Sequence, residues 1–238
     1  GSDRSMLADT LIIVAAYNEA DRIAATVAAL AESFPGAPVW VADDGSADRT
    51  AEAARVAGAR VVRSERVIGK GGAMTLAVRE AVQEAREVHS NGDPGGAVFV
   101  LCDGDLGGSA ARLAPLAESV RRGEADLAVA AFRHRVGGGL GIAVGFARWA
   151  IRRRCGLQAR APISGQRALS GRVLEDVLPF AAGFGMEVGM TIDAVRCGHR
   201  VSEIELDLEH RASGRTPRGF AHRARQLVDF VRVYIARR

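Results

Sequence analysis

Asp103-Gly104-Asp105 follows an apolar run at residues 97–101 and Cys102, and sets two carboxylates on either side of a glycine. At the end of a buried strand, such a triplet can chelate a hard divalent cation, with the glycine letting the backbone turn tightly. Mg²⁺ and Mn²⁺ both take oxygen ligands, and ions of this kind are commonly shared with substrate phosphates. Taken alone the triplet is common by chance. Two further acidic groups follow other short apolar runs, Asn18-Glu19 after residues 11–15 and Asp43-Asp44 after residues 39–42. Any single cluster could be a helix cap or a turn former. Three at successive strand ends are harder to read that way, because crowded carboxylates repel unless a cation or a polar ligand satisfies them.

An open parallel sheet would bring the three clusters together, since its ligands bind where the carboxyl ends of the strands converge. The first 130 residues have the required rhythm. Short apolar runs at 11–15, 39–42, 59–63, 97–101 and 126–131 read as strands buried on both faces. Between them, Ile23, Val27 and Leu30 recur at helical spacing, Ser46 or Asp48 can cap a helix reaching about Ala57, and Gly69 opens a long helix to about Val88. A helix over 110–121 precedes the fifth strand. The fold class is therefore α/β, a mostly parallel sheet with helices on both faces. The second half is less regular. Residues 136–146 are glycine-rich and read as part of a mobile loop (about 134–147) before a basic amphipathic helix at 147–154. A strand at 163–169, helices at 171–178 and 186–196, a Gly183-Phe184-Gly185 turn and a strand at 201–208 follow. A last helix carries Phe220, Leu227, Phe230, Val231 and Tyr234 on one stripe. With no repeat and no low-complexity linker, the chain reads as one domain of two lobes: a tail or tag remnant at 1–9, one lobe at 10–132 and another at 133–238.

The 238 residues, 48% hydrophobic and 25% charged, suit a folded soluble domain. Cys102, Cys155 and Cys197 have no metal-ligand spacing and read as free thiols in a reducing compartment, so a cytoplasmic location is expected. No run approaches the length of a membrane span, and no secretory signal is expected. The net charge of +4 is modest, but Arg148, Arg152, Arg153, Arg154 and Arg160 cluster, as do the arginines from Arg211 onward. Such clusters attract phosphates or form a solvated face. Nucleic acid is disfavoured because no aromatics are interleaved for base stacking. Oligomeric state is left open, a dimer included.

Four segments together, Ala16-Tyr17-Asn18-Glu19, Asp43-Asp44-Gly45-Ser46, Gly69-Lys70-Gly71 and Asp103-Gly104-Asp105, resemble the GT-A fold glycosyltransferases. The chain is similar to the inverting family that includes dolichyl- and polyprenyl-phosphate sugar synthases, and nearly as similar to retaining glucosyl-3-phosphoglycerate synthases. The likeness is specific across about residues 10–130. It continues more loosely through Ser164-Gly165-Gln166-Arg167 and the segment around Glu187 to His210-Arg211.

The resemblance implies a metal-dependent hexosyltransferase that uses Mg²⁺ or Mn²⁺ and moves one sugar from a nucleotide-sugar, a UDP-sugar by preference. It places Ala16, Tyr17 and Glu19 against the nucleoside, Asp44 on the base edge and Lys70 beside the phosphates, where the start of its helix also favours anions. Asp103 and Gly104 join the nucleotide site. Asp105 is implied as the direct metal ligand, with Asp103 shared between metal and ribose and His210 completing the shell. Arg211 and Arg215 would clamp the diphosphate, as a guanidinium fork matches phosphate oxygens. Ser164, Gly165 and Gln166 would line the sugar or acceptor side, while Arg167 reads equally well as a structural ion pair. Glu187 is implied beside the reacting sugar. It would be the general base of an inverting enzyme or hold sugar hydroxyls in a retaining one.

The chain also departs from its relatives. Leu106-Gly107-Gly108-Ser109 replaces the segment that usually follows Asp-x-Asp in the dolichyl-phosphate enzymes, and the Gln-x-x-Arg-Trp signature of processive synthases is absent. A single transfer is therefore expected. The acceptor is open between a polyprenyl phosphate, approached by peripheral membrane contact through 147–154, and a small phosphorylated molecule under a lid. A sugar-phosphate nucleotidyltransferase would want a Gly- and Lys-rich signature where Ala15–Glu19 stands. A non-catalytic binding module would be expected to lack these carboxylates.

Overall fold

A computed structural model of the chain describes residues 10–88, 96–132, 141–209 and 217–238; the side chains of 217–220, 222 and 223 are outside that description. The apolar runs form the strands they suggest: β1 (Thr10–Ala16), β2 (Val39–Asp43), β3 (Arg60–Arg63), β4 (Val98–Asp103), β5 (Leu127–Phe132), β6 (Arg167–Ser170) and β7 (Val201–Leu206). Among the described residues they make one sheet in the order β3-β2-β1-β4-β6-β5-β7. β2, β3 and β4 join β1's layer in parallel, β7 runs parallel to β5, and β6 alone is antiparallel to both of its neighbours.

The helices are α1 (Ile23–Ser33), α2 (Thr50–Val56), α3 (Lys70–Val88), α4 (Ala114–Arg121), α5 (Gly141–Cys155), α6 (Gly171–Val177), α7 (Met186–Arg196) and α8 (Pro217–Ala236). Alternation along each strand divides the core. Ile12, Val14 and Val100 meet Val27, Leu30, Leu113 and Leu116 on one face, while Leu11, Ile13 and Phe99 meet Met74, Val78, Leu174 and Met190 on the other. Both faces of the central strands are thus covered, which is why they read as unbroken apolar runs. A third cluster joins Ala147 and Ile151 of α5 to Val188 and Ile192 of α7 and to Phe230 and Val233 of α8. Beside it, Trp149 and Tyr234 stack with ring centroids 4.8 Å apart, and the Arg154 guanidinium lies 3.8 Å from the Tyr234 ring centre. The cysteines are free, Cys102 buried and Cys197 exposed.

Several expectations shift. The helix expected over 110–121 is a 3-10 helix from Gly107 to Leu113 before α4, because Pro115 lacks an amide hydrogen and belongs in a first turn. Of the two residues expected to cap α2, Asp48 accepts at Oδ1 from the amide of Thr50, the helix's first residue, and at Oδ2 from the Ala20 amide, while Ser46 Oγ turns to the Asn18 amide in the loop after β1. The strand expected at 163–169 begins only at Arg167. Of the loop expected at about 134–147, residues 141–147 are helical, since burying Ala143 and Ala147 in the third cluster outweighs the poor helix propensity of glycine. Residues 133–140 lie outside the described residues. No described helix is long and apolar enough to cross a membrane.

Gly71, in the first turn of α3, lies so close to the chain at Ala181 that a Cβ there would stand 1.8 Å from the Ala181 carbonyl oxygen. Gly71→Ala is expected to destabilise the protein by about 3 kcal/mol in urea denaturation, the scale of a forced backbone shift. Gly145→Ala in α5, where nothing stands within 4 Å, is the control and should stabilise by roughly 0.5–1 kcal/mol.

Candidate active site

Strand register builds the site before any side chain is considered. Ala16 pairs with Asp43 across β1 and β2, and Ala15 with Asp103 across β1 and β4. Three of the sequence clusters therefore end side by side at the carboxyl edge of the sheet.

Loops stitch the edge together. Asn18, with a left-handed φ of 51°, receives a hydrogen bond at Oδ1 from the Ala47 amide and donates its own amide to Ser46 Oγ, both at 2.9 Å. The Glu19 amide donates to Thr50 Oγ1 at 2.9 Å. Asp43, wholly buried, accepts from the Ser46 amide. Asp44 accepts from the amides of Ile68 (2.7 Å) and Gly69 (3.0 Å) and so fixes the segment that leads into α3. Ala16 is buried and Tyr17 half exposed at the rim.

α1 holds the Asp103-Gly104-Asp105 turn. The Gly104 amide donates to the Ala15 carbonyl (2.8 Å), and the Gly104 carbonyl accepts from Thr26 Oγ1 (2.7 Å). The Asp105 carbonyl accepts from Arg22 Nη1 at 2.7 Å. A Cβ on Gly104 would come within 3.1 Å of the Ala15 carbonyl oxygen, so a glycine fits where a larger residue would crowd.

At the centre, Lys70 Nζ donates to Asp103 Oδ1 at 2.7 Å and to Glu187 Oε1 at 2.5 Å. Glu187, in the first turn of α7, is 5% exposed. Burial alone would depress the Lys70 ammonium, but the Asp103 and Glu187 carboxylates outweigh it and hold its pKa above the ordinary lysine range. Gln166 grips Asp103 twice: its Oε1 accepts from the Asp103 amide and its Nε2 donates to Asp103 Oδ2, both at 2.9 Å. Gly165 closes the wall, since a Cβ there would meet Lys70 Nζ and Asp103 Oδ2 at 2.7 Å.

The sequence-derived residues Lys70, Asp103, Gly165, Gln166 and Glu187 thus converge, with Ser164 buried behind them. Gln166, just before β6, holds Asp103, a contact that the sequence reading did not name. His210, Arg211 and Arg215 lie outside the described residues. Arg22, just before α1, and Thr26 on it fix the turn at Gly104 and had no signal in the sequence beyond their place there.

A divalent ion fits the donor set in a specific way. Asp103 accepts at Oδ1 from Lys70 and at Oδ2 from Gln166, and Asp105 adds the second carboxylate of the turn, so the triplet offers oxygen donors of the kind a hard cation takes. Among the described residues no group of three or more His, Cys, Asp or Glu side chains is arranged around one point. An ion here would draw remaining ligands from substrate phosphates, the usual arrangement for Mg²⁺.

Comparison with known proteins gives the same picture. The family model described as Glycosyl transferase family 2 matches residues 11–164. No curated protein matches the sequence. Solved structures similar to the chain include glucosyl-3-phosphoglycerate synthase from Mycobacterium tuberculosis. Its complex with phosphoglyceric acid is 24% identical, with a TM-score of 0.74 over 96% of this chain and 79% of that one. Its complex with Mn²⁺, UDP and glucosyl-3-phosphoglycerate is 26% identical, with a TM-score of 0.70 over 94% and 79%. Its complex with Mn²⁺, UDP-glucose and glycerol 3-phosphate is 25% identical, with a TM-score of 0.69 over 94% and 79%.

Removing the Lys70 cation would strand two carboxylates in a largely buried place. Lys70→Met is expected to cost about 3–5 kcal/mol in chemical denaturation, the scale of breaking a buried pair from one side. A loss below about 1 kcal/mol would show that solvent reaches the pair freely.

Proposed function

Because the chain belongs to glycosyl transferase family 2 and is a GT-A fold glycosyltransferase, we propose that it transfers one sugar from a UDP-sugar to a small phosphorylated acceptor, with Mg²⁺ or Mn²⁺ as cofactor. The observation that carries this reading is the Lys70 bridge, which links Asp103 on the nucleotide side to Glu187 on the far side of the same cleft. One cation thus joins the donor half of the site to the half where transfer would occur.

In this reading residues 10–132 form the nucleotide lobe, and residues 133–238 supply the acceptor lobe. Tyr17 and Glu19 flank the nucleoside. Asp44 already orders the Ile68 and Gly69 amides and would add the base edge to its partners, which suits the N3–H donor of uracil. Asp105 would hold the ion, with His210 and the donor's phosphates completing its shell. When bound, the ion neutralises diphosphate charge and so favours departure of the nucleotide. Arg211 and Arg215 would grip the same diphosphate. Lys70 keeps Asp103 and Glu187 oriented and adds positive charge beside the phosphates.

Glu187 has one oxygen engaged by Lys70, and its second is the one to accept from a sugar or acceptor hydroxyl. As a general base it would take that hydroxyl's proton during in-line attack; as a sugar-holding group it would fix the reacting carbon against the acceptor. The small-acceptor reading draws support from the likeness to the mycobacterial enzyme, whose structures hold UDP-glucose with glycerol 3-phosphate or phosphoglyceric acid, or Mg²⁺ with UDP. A polyprenyl phosphate reached through residues 147–154 is the second reading. The exposed Trp149, beside the arginines at the end of α5, favours it.

The direct test incubates the protein with UDP-glucose, Mn²⁺ and glycerol 3-phosphate or phosphoglyceric acid and measures UDP release. Absence of both turnover and UDP-induced thermal stabilisation would rule out the donor. Asp105→Asn is expected to abolish Mn²⁺-dependent stabilisation by UDP while leaving the denaturation midpoint without ligand nearly unchanged, as measured by thermal shift. For Glu187→Gln, UDP binding should stay within about threefold of wild type while turnover falls at least 100-fold, the scale of a lost general base or misplaced substrate. Unchanged turnover would remove Glu187 from the chemistry.

A further inference from the structure

Arg167 is the largest fully buried side chain in the described structure, 1% exposed, and nothing in the donor or acceptor reading uses it. Its three hydrogen bonds go to neutral groups: Nε donates to the Ser164 carbonyl (2.8 Å), Nη1 to Thr191 Oγ1 (2.8 Å) and Nη2 to the Pro162 carbonyl (3.4 Å). Burial pushes the guanidinium down to about 10, against the pull of Glu187 and Glu203. It therefore remains a cation at neutral pH. A buried charge satisfied by carbonyls and a hydroxyl is an expensive way to fill a core, so its placement calls for a reason.

Position supplies one. The Ser164 carbonyl precedes Gly165, where a Cβ would stand 2.7 Å from Lys70 Nζ and Asp103 Oδ2. Thr191 Oγ1 accepts from Arg167 and donates to the Glu187 carbonyl at 3.0 Å, one turn back along α7. One guanidinium therefore holds both walls around the Lys70 ammonium, the Gly165 strand approach and the first turn of α7. Glu203 of β7 secures the same approach from outside by accepting from the amides of Arg160 (2.9 Å) and Ala161 (2.5 Å).

We propose that Arg167 and Thr191 form a positioning relay that sets Glu187 against Lys70 and thereby aligns the acceptor half of the site. This rests on the reading of Glu187 as the group beside the reacting sugar, and it deepens that reading rather than adding a second activity. Neither residue touches substrate. The relay acts through the main chain at Ser164–Gly165 and Glu187, so it governs the transfer step and leaves nucleotide binding to the β1, β2 and β4 edge.

The test compares Thr191→Val, which keeps the shape but removes the hydroxyl, with Thr191→Ser, which keeps the hydroxyl. Arg167→Met is a harsher companion that could fail to fold, so the threonine pair carries the decision. With UDP-glucose, Mn²⁺ and glycerol 3-phosphate, Thr191→Val is expected to lower kcat at least tenfold with KM for UDP-glucose within about twofold, since small misplacements cost that much or more. Thr191→Ser should restore kcat to within about threefold of wild type. Crystal structures of both variants should show the Lys70–Glu187 contact broken in the valine protein and kept in the serine protein. Wild-type kcat in Thr191→Val, or equal impairment of the two variants, overturns the relay. Where the wild-type protein releases no UDP, the donor reading fails by itself and the crystal structures decide: an intact contact in Thr191→Val overturns the relay, a broken one supports it.

Discussion

Asp103 and Glu187 are separated by most of the second half of the chain, yet both close on the ammonium of Lys70. Two carboxylates this near would repel, and the largely buried cation between them removes that penalty while fixing their orientation. Much else follows from making that contact possible. β4 must end beside β1, α3 must begin at the edge of the sheet, and α7 must start on the other side of the Lys70 ammonium. The Gln166 clamp and the Gly165 backbone then confine Asp103 from the side on which β6 enters.

Close approach of backbones is what lets these elements meet. Gly71 brings the start of α3 against the chain at Ala181, and Gly69 lies against Gly183. Gly183, with a φ of 59°, leaves no room for a side chain beside Asp229 of α8, whose Oδ2 accepts from the Phe184 amide at 3.1 Å. The turn that launches Glu187 is thereby seated between α3 and α8. The Glu187 side of the site depends on tertiary contacts of this kind, whereas the side that carries Asp43, Asp44 and Asp103 depends on strand register and local loop hydrogen bonds. The family model covers residues 11–164, which include the three acidic clusters and not Glu187.

The three acidic clusters were legible in the sequence because their information is local. Each acidic cluster sits at the end of its own apolar run, and in a parallel sheet strand ends on one edge must converge. Residues such as Asp44 and Gly69 could be found in this way, although the hydrogen bond that joins them could not. Helix and strand ends proved less secure where packing overruled local preference, as at Gly141–Ala147 in α5, or where one proline redirected a turn, as at Pro115.

What the sequence determined by itself was the alternation of strands and helices, the carboxylates at three strand ends and the family likeness that these carry. All of these rest on patterns read within a few residues. Only the tertiary structure decided that Lys70 reaches Glu187, that Gln166 grips Asp103, and that Arg167 is buried on carbonyls and a hydroxyl rather than on an acidic partner. The Arg167–Thr191, Gln166–Asp103 and Lys70–Glu187 contacts join residues 24, 63 and 117 positions apart. The Gln166 and Arg167 contacts exist because β6 inserts antiparallel between β4 and β5, and no local pattern of side chains specifies which strands will flank it.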